Sequence, residues 1–237
     1  MRQRWITTLA VLAGAAALPA APAAATAKQA VVVKDWTRTV AQTPAGGFRM
    51  GNPAAKVKLI EYGSLTCPHC AHFAAEGTAG VRTLVKSGKL SFEFRNFVLN
   101  GPDVAATLLA RCGGARTFFP VIDSMYASQR LWVGAIAGLN DQEKAELEAL
   151  PVKQRIVRFA EAGALPQLAA KAGVTAARAR QCLADDNAVA TIEKLNADGR
   201  ALGVAGTPTF FINGRKSTAI TWADLEPEVR SALGTGG

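Results

Sequence analysis

Histidine is almost absent from this chain of 237 residues: His69 and His72 are the only two. There are four cysteines but no second Cys-x-x-Cys pair and no His-x-x-x-His, so the ligand spacing of a zinc site is missing. No metal and no cofactor is therefore expected. After residue 20 no apolar run approaches the roughly 20 residues needed to span a bilayer. Internal repeats and low-complexity tracts are also lacking beyond the first 27 residues. Basic side chains outnumber acidic ones, 27 to 18, yet they are scattered and not clustered. That distribution excludes a nucleic-acid footprint and fits a solvated basic surface.

What is present begins with an export-like pattern. Met1-Arg2-Gln3-Arg4 is basic, Trp5 to Ala20 is uncharged and apolar, and Ala25-Thr26-Ala27 has the small-x-small form that precedes cleavage. Removing residues 1–27 as a signal peptide from 237 leaves 210, enough for one large core or one domain with an insertion. Arg2 and Arg4 leave with the signal, so 25 basic against 18 acidic groups give a surplus of seven. The expected compartment is the periplasm, where thiols are oxidised unless something keeps them reduced.

Residues 28–55 are expected to be an N-terminal extension, with short strands at Val31–Val33 and Trp36–Val40. Gly46-Gly47 and Gly51-Asn52-Pro53 read as turns. The first strong strand is Val57–Tyr62, bounded by Gly63-Ser64. An apolar-periodic stretch from Ala71 to Val85, with Phe73, Val81 and Leu84 on one face, predicts a helix ending near Gly88. Leu90–Phe97 alternates and predicts a second strand. From Asp103 to Asp198 the composition turns to alanine, leucine and charge, which predicts a helical block. Within it Asn140 and Glu143 form a potential capping box, Thr175 caps the helix carrying Cys182, and Gly113-Gly114 ends the helix carrying Cys112. Thr209–Ile212, the Asn213-Gly214 turn and Lys216–Ile220 predict a hairpin. Thr221 then caps a last helix over Trp222–Leu233. The layout is α/β interrupted once, with segments 56–101 and 199–237 flanking an inserted helical domain at 102–198.

The chemistry concentrates in Cys67-Pro68-His69-Cys70. Between a strand and a helix, Cys67 falls at a helix N-terminus, where unpaired N–H groups and the macrodipole favour a thiolate. Cys70, one turn on, lies within reach and faces inward. An exposed Cys67 of lowered pKa would attack and leave readily. Pro68 removes a donor at the first helical position, where it costs nothing. His69 adds N–H groups and partial positive charge beside the anion, while His72 reads as a solvent-facing residue.

Cys-Pro-His-Cys after Ile60-Glu61-Tyr62, together with Gly203 to Gly214 around Gly206-Thr207-Pro208-Thr209, resembles the thioredoxin superfamily. The Pro-His dipeptide and the helical insertion resemble its DsbA branch, the periplasmic disulfide oxidases. The resemblance covers about Val57 to Leu233. It implies a thioredoxin-like fold, a cis Pro208 beside the Cys67–Cys70 pair, and backbone groups of Thr207 offered to an extended substrate strand. It also implies that Glu61 is the buried acid that helps move a proton from Cys70. Two readings stay open for Cys112 and Cys182: a second, structural disulfide, or two unpaired core residues.

Three functions remain possible on this sequence. One is a monomeric oxidase that donates its disulfide to unfolded exported proteins with free thiols and is reoxidised by a DsbB-like membrane partner. Another is an isomerase or reductase on the same scaffold, which Thr207 before the proline keeps open. The third is a binding or chaperone module without turnover, against which the intact cysteine pair argues.

Overall fold

A computed structural model describes residues 34–234, with Met1 and Gln3 alone among the first 33. The expected signal peptide and the Val31–Val33 strand lie outside the described residues.

Strands β1 (Val40–Gln42), β2 (Phe48–Gly51), β3 (Val57–Gly63), β4 (Leu90–Asn96), β5 (Thr209–Ile212) and β6 (Arg215–Lys216) form one sheet. Their order is β1-β2-β4-β3-β5-β6, and β3 and β4 are parallel while every other pairing is antiparallel. The β3–β4 crossover is helix α1 (Pro68–Lys86), as a parallel connection requires. Its buried face is Cys70, Phe73, Gly77, Val81 and Val85, at the three- and four-residue spacing of one helical side. Leu84, expected on that face, lies at its edge and is half-buried.

The helical insertion follows β4. It comprises α2 (Gly101–Arg111), α3 (Phe118–Ala127), α4 (Gln129–Ala137), α5 (Asp141–Ala149), α6 (Val152–Ala162), α7 (Leu165–Lys171), α8 (Ala176–Leu183) and α9 (Asp186–Ala201). Helix α10 (Trp222–Leu233) is the last element among the described residues. Insertion and sheet share one core: Phe118 of α3 stacks on Phe48 of β2, ring centroids 4.0 Å apart. On the opposite sheet face Tyr62, Phe97, Val204 and Phe211 form a smaller cluster.

Local signals hold where they concern caps and turns. Asn140 and Glu143 make the reciprocal capping box, and Thr175 and Thr221 accept from the backbone N–H groups of Arg178 and Asp224. Asn213 and Gly214 both have positive φ, 50° and 83°, as a two-residue hairpin turn of this type demands.

Three expectations fail at the sheet margins. Trp36–Arg38 is a 3-10 turn, held by the Asp35 carboxylate accepting from the Thr37 N–H, so the strand starts only at Val40. Phe48–Gly51, bracketed by turn residues in the sequence, is a strand pairing with β4. Gly47 owes its place to that packing: a Cβ there would lie 2.5 Å from Glu93 Oε1 and 2.9 Å from the Phe94 carbonyl. The predicted strand Lys216–Ile220 stops at Lys216, because Ser217 Oγ accepts from the Ala219 N–H and turns the chain away.

Candidate active site

Strand β3 runs into the loop Ser64–Thr66 and then into α1, so the strand delivers Cys67 to the helix N-terminus. Cys67 is the N-cap and Pro68 occupies the first turn, where its missing N–H leaves nothing unpaired. Cys67 and Cys70 are both free thiols. Cys70 is fully buried and Cys67 is only 6 % exposed, which corrects the expectation of an exposed nucleophile. The cover comes from the far end of the sequence: the Thr207–Pro208 peptide is cis, and the Cys67 thiol donates to the Thr207 carbonyl at 3.1 Å.

The two thiols are electrostatically unlike. Cys67 is lowered to about 5 from an ordinary value near 9. Its interaction with the Cys70 side chain contributes most and outweighs burial; the Thr207 side chain and the N–H groups of Cys70 and His69 add to it. The His69 contribution is thus the backbone's, since the imidazole is exposed. Burial pushes Cys70 well above the usual thiol range, and Cys67 and Glu61 push it further. His72 faces solvent, 3.3 Å from Glu76.

Glu61 shares a face of β3 with Val57 and Leu59. It is 3 % exposed, and its Oε1 has no hydrogen-bond partner among the described residues. Desolvation, with a smaller contribution from the Cys67 charge, raises it to about 8. Beside it is a cavity of about 30 Å³, lined also by Phe73, Val81 and Tyr126. That is room for a water, which needs roughly 10–15 Å³. Glu61 therefore holds a proton at neutral pH.

A stability measurement checks this protonation. Below pH 4.5 native and unfolded carboxyls are both protonated; between 4.5 and about 8 only the native state keeps the proton, so stability falls as pH rises. Glu61→Gln removes that loss. The stability gap between reduced variant and reduced native protein should widen in the variant's favour by about 5 kcal/mol from pH 4 to pH 9. Urea unfolding curves that stay parallel over that range would contradict a protonated Glu61.

Cys112, at the end of α2, and Cys182 of α8 are joined by a disulfide with Cα atoms 5.7 Å apart. Three further polar side chains reach the active-site loop and were not singled out in the sequence: Asp103, Tyr126 and Gln129. Gln129 left only a partial signal in the sequence, as a polar residue on the face of α4 that Trp132 and Ile136 bury. Among the described residues no cluster of His, Cys, Asp and Glu could hold a metal. No helix among them is long and apolar enough to cross a membrane.

A dithiol at a strand-to-helix junction, facing a cis-proline loop across a mixed sheet, defines a thioredoxin-like protein with a helical insertion. The thioredoxin family profile matches residues 43–229, and the chain belongs to that family. The chain is 28 % identical over 168 residues to a Rickettsia bellii protein named "Putative protein-disulfide oxidoreductase", covering 70 % of this chain and 56 % of that one. It therefore spans a little over half the length of that curated relative. A protein-disulfide isomerase from Novosphingobium aromaticivorans superposes with a TM-score of 0.73 at 28 % identity, covering 78 % of this chain and 96 % of that structure. Wolbachia pipientis alpha-DsbA1 superposes with a TM-score of 0.65 at 21 % identity, covering 83 % and 94 %.

Proposed function

We propose that this chain is an exported thiol:disulfide oxidoreductase that introduces disulfides into periplasmic proteins. The observation that carries the reading is the unequal pair: a Cys67 thiol drawn down to about 5 beside a buried Cys70 pushed up. In the oxidised protein a substrate thiolate attacks Cys67 Sγ, breaking the Cys67–Cys70 bond and forming a mixed disulfide. Cys70 leaves as a buried, unstable thiolate and takes a proton, for which Glu61 is the nearby source. A second substrate thiolate then attacks the substrate sulfur of the mixed disulfide. The substrate disulfide forms, Cys67 leaves as a stable thiolate, and two electrons remain on the protein. Thr207 and Pro208 border the sulfur where an extended substrate strand would lie. The cycle closes when a membrane oxidant of the DsbB-like kind takes those electrons.

The name of the Novosphingobium relative and Thr207 before the proline favour a second reading, an isomerase. An isomerase profits from bivalent capture by an oligomer, whereas a monomer is expected here. The deciding experiment pairs oxidation of a reduced two-cysteine peptide with refolding of a scrambled multi-disulfide protein, alongside size-exclusion chromatography. Rapid peptide oxidation, weak unscrambling and complete loss of both in Cys67→Ser are expected. Poor oxidation with efficient unscrambling by an oligomer would make it an isomerase; neither activity in the wild type would make it a binding module.

A further inference from the structure

The loop Ser64–Cys67 carries the nucleophile, yet its polar backbone is satisfied mostly from the helical insertion. Asp103 of α2 accepts from the Leu65 N–H (2.9 Å) and from Ser64 Oγ (2.5 Å). Tyr126 of α3 donates its hydroxyl to the Ser64 carbonyl at 3.1 Å. Gln129, first residue of α4 and 5 % exposed, donates Nε2 to two carbonyls, Leu65 at 2.8 Å and Cys67 at 2.9 Å. The second of these also accepts the first hydrogen bond of α1, from the Ala71 N–H at 3.2 Å.

One carboxamide thus fixes two peptide planes, those following Leu65 and Cys67. The second plane sets ψ of Cys67, 122°, and with it the position of its sulfur relative to the open N–H groups of His69 and Cys70. No other described side chain donates to the Cys67 carbonyl. Pro68 cannot help, for it has no N–H to anchor the turn. On ionisation Cys67 loses its own donor to Thr207, and the sulfur can then only accept. Where its carbonyl is held decides what it accepts from.

We propose that Gln129 is a positioning residue for disulfide exchange: its carboxamide clamps the Leu65 and Cys67 carbonyls and so aims the Cys67 sulfur at the α1 N-terminus. The insertion is then a structural part of the redox site and not only a cover over it. The inference rests on the reading of Cys67 as the nucleophile, but its test needs no turnover.

The experiment follows thiolate absorbance against pH on the reduced full chain. Gln129→Met keeps length and volume but cannot donate, so Cys67 should titrate about tenfold less readily, its midpoint about one pH unit higher. At about 30 mV per decade for a two-electron couple, the reduction potential at pH 7 should fall by about 30 mV. Glu61, Asp103, Cys70 and Tyr126, the titratable groups that act on or lie beside the two thiols, are unchanged in this variant. Tyr126→Phe removes the donor to Ser64 together with the hydroxyl's contact with Cys70, leaves both Gln129 bonds in place, and should move the midpoint in the same direction by less, which keeps the test alive if Gln129→Met fails to fold. Trp132→Phe, a packing change on the same helix that stays off the loop, should lower the melting temperature and leave the midpoint in place. Unmoved titrations in Gln129→Met and Tyr126→Phe would overturn the clamp. So would a shift in Trp132→Phe as large as theirs, since any loosening of the insertion would then suffice. If the wild type proves inactive in exchange while the midpoint still moves, the clamp stands and the functional reading falls.

Discussion

Reduced protein titrated from pH 3 to pH 10 should show its first thiolate step near pH 5, with no second step until well above 9. The first is Cys67, whose anion has neighbours that favour it; the second is Cys70, whose anion would sit in a buried site beside another negative charge. Because the Cys70 side chain is the largest favourable contribution at Cys67, Cys70→Ala should move the first step upward. The same difference sets the redox direction. Between its native value and pH 7 Cys67 stabilises the dithiol form by at most about a hundredfold, or about 60 mV at roughly 30 mV per decade, trimmed where solvent reaches the mouth. The sign follows from linkage. A lowered thiol stabilises the reduced fold above the unfolded-state value and loses that contribution as pH falls through 5. The reduction potential should accordingly rise by about 59 mV for each pH unit of acidification below 5 and by about half that between 5 and 7, since one proton fewer is taken up there. A single slope through that range, or a first step near pH 8.5, would remove the physical basis for an oxidase.

Cys112→Ala/Cys182→Ala should cost about 4 kcal/mol of stability in the chain-entropy account, because the bond closes a loop across a sequence separation of 70. It ties the end of α2 to α8, and α2 is the helix that brings Asp103 to the active-site loop. Both sulfurs are buried, with Cys112 7 % and Cys182 8 % exposed. Burial does not separate them from Cys67 and Cys70, but the stable Cys67 thiolate leaves more readily, so mild dithiothreitol on oxidised protein should free two labelled thiols and leave two protected. Urea midpoints of the double variant unchanged from wild type, or four thiols labelled at once, would show that the bond does not brace the insertion. The Cys67 titration should survive the double substitution, since the Gln129 contacts do not pass through this disulfide.

The sequence by itself determined whatever depends on neighbours a few residues apart. The Cys67-Pro68-His69-Cys70 turn at a helix start, the Asn213-Gly214 hairpin and the caps at Asn140, Thr175 and Thr221 are set by backbone geometry within one turn. The placement of Glu61 was legible in part, because a carboxylate stands where β3 alternation calls for an apolar residue. What it would meet there was not legible: the unpartnered oxygen and the cavity beside it arise from Phe73, Val81 and Tyr126, on two other elements. Only the tertiary structure decided that Phe48–Gly51 is a strand. Four residues between turn signals bury little by themselves and are held by pairing with β4, 40 to 46 positions later. The same holds for the depth of Cys67, covered by Thr207 from 140 residues away, and for Gln129, which locally is one polar residue on an apolar helix face. Caps and turns are short-range and repeat their chemistry wherever they occur. Burial, strand partners and the aim of a sulfur depend on which distant surfaces the chain brings together, and no local pattern carries that information.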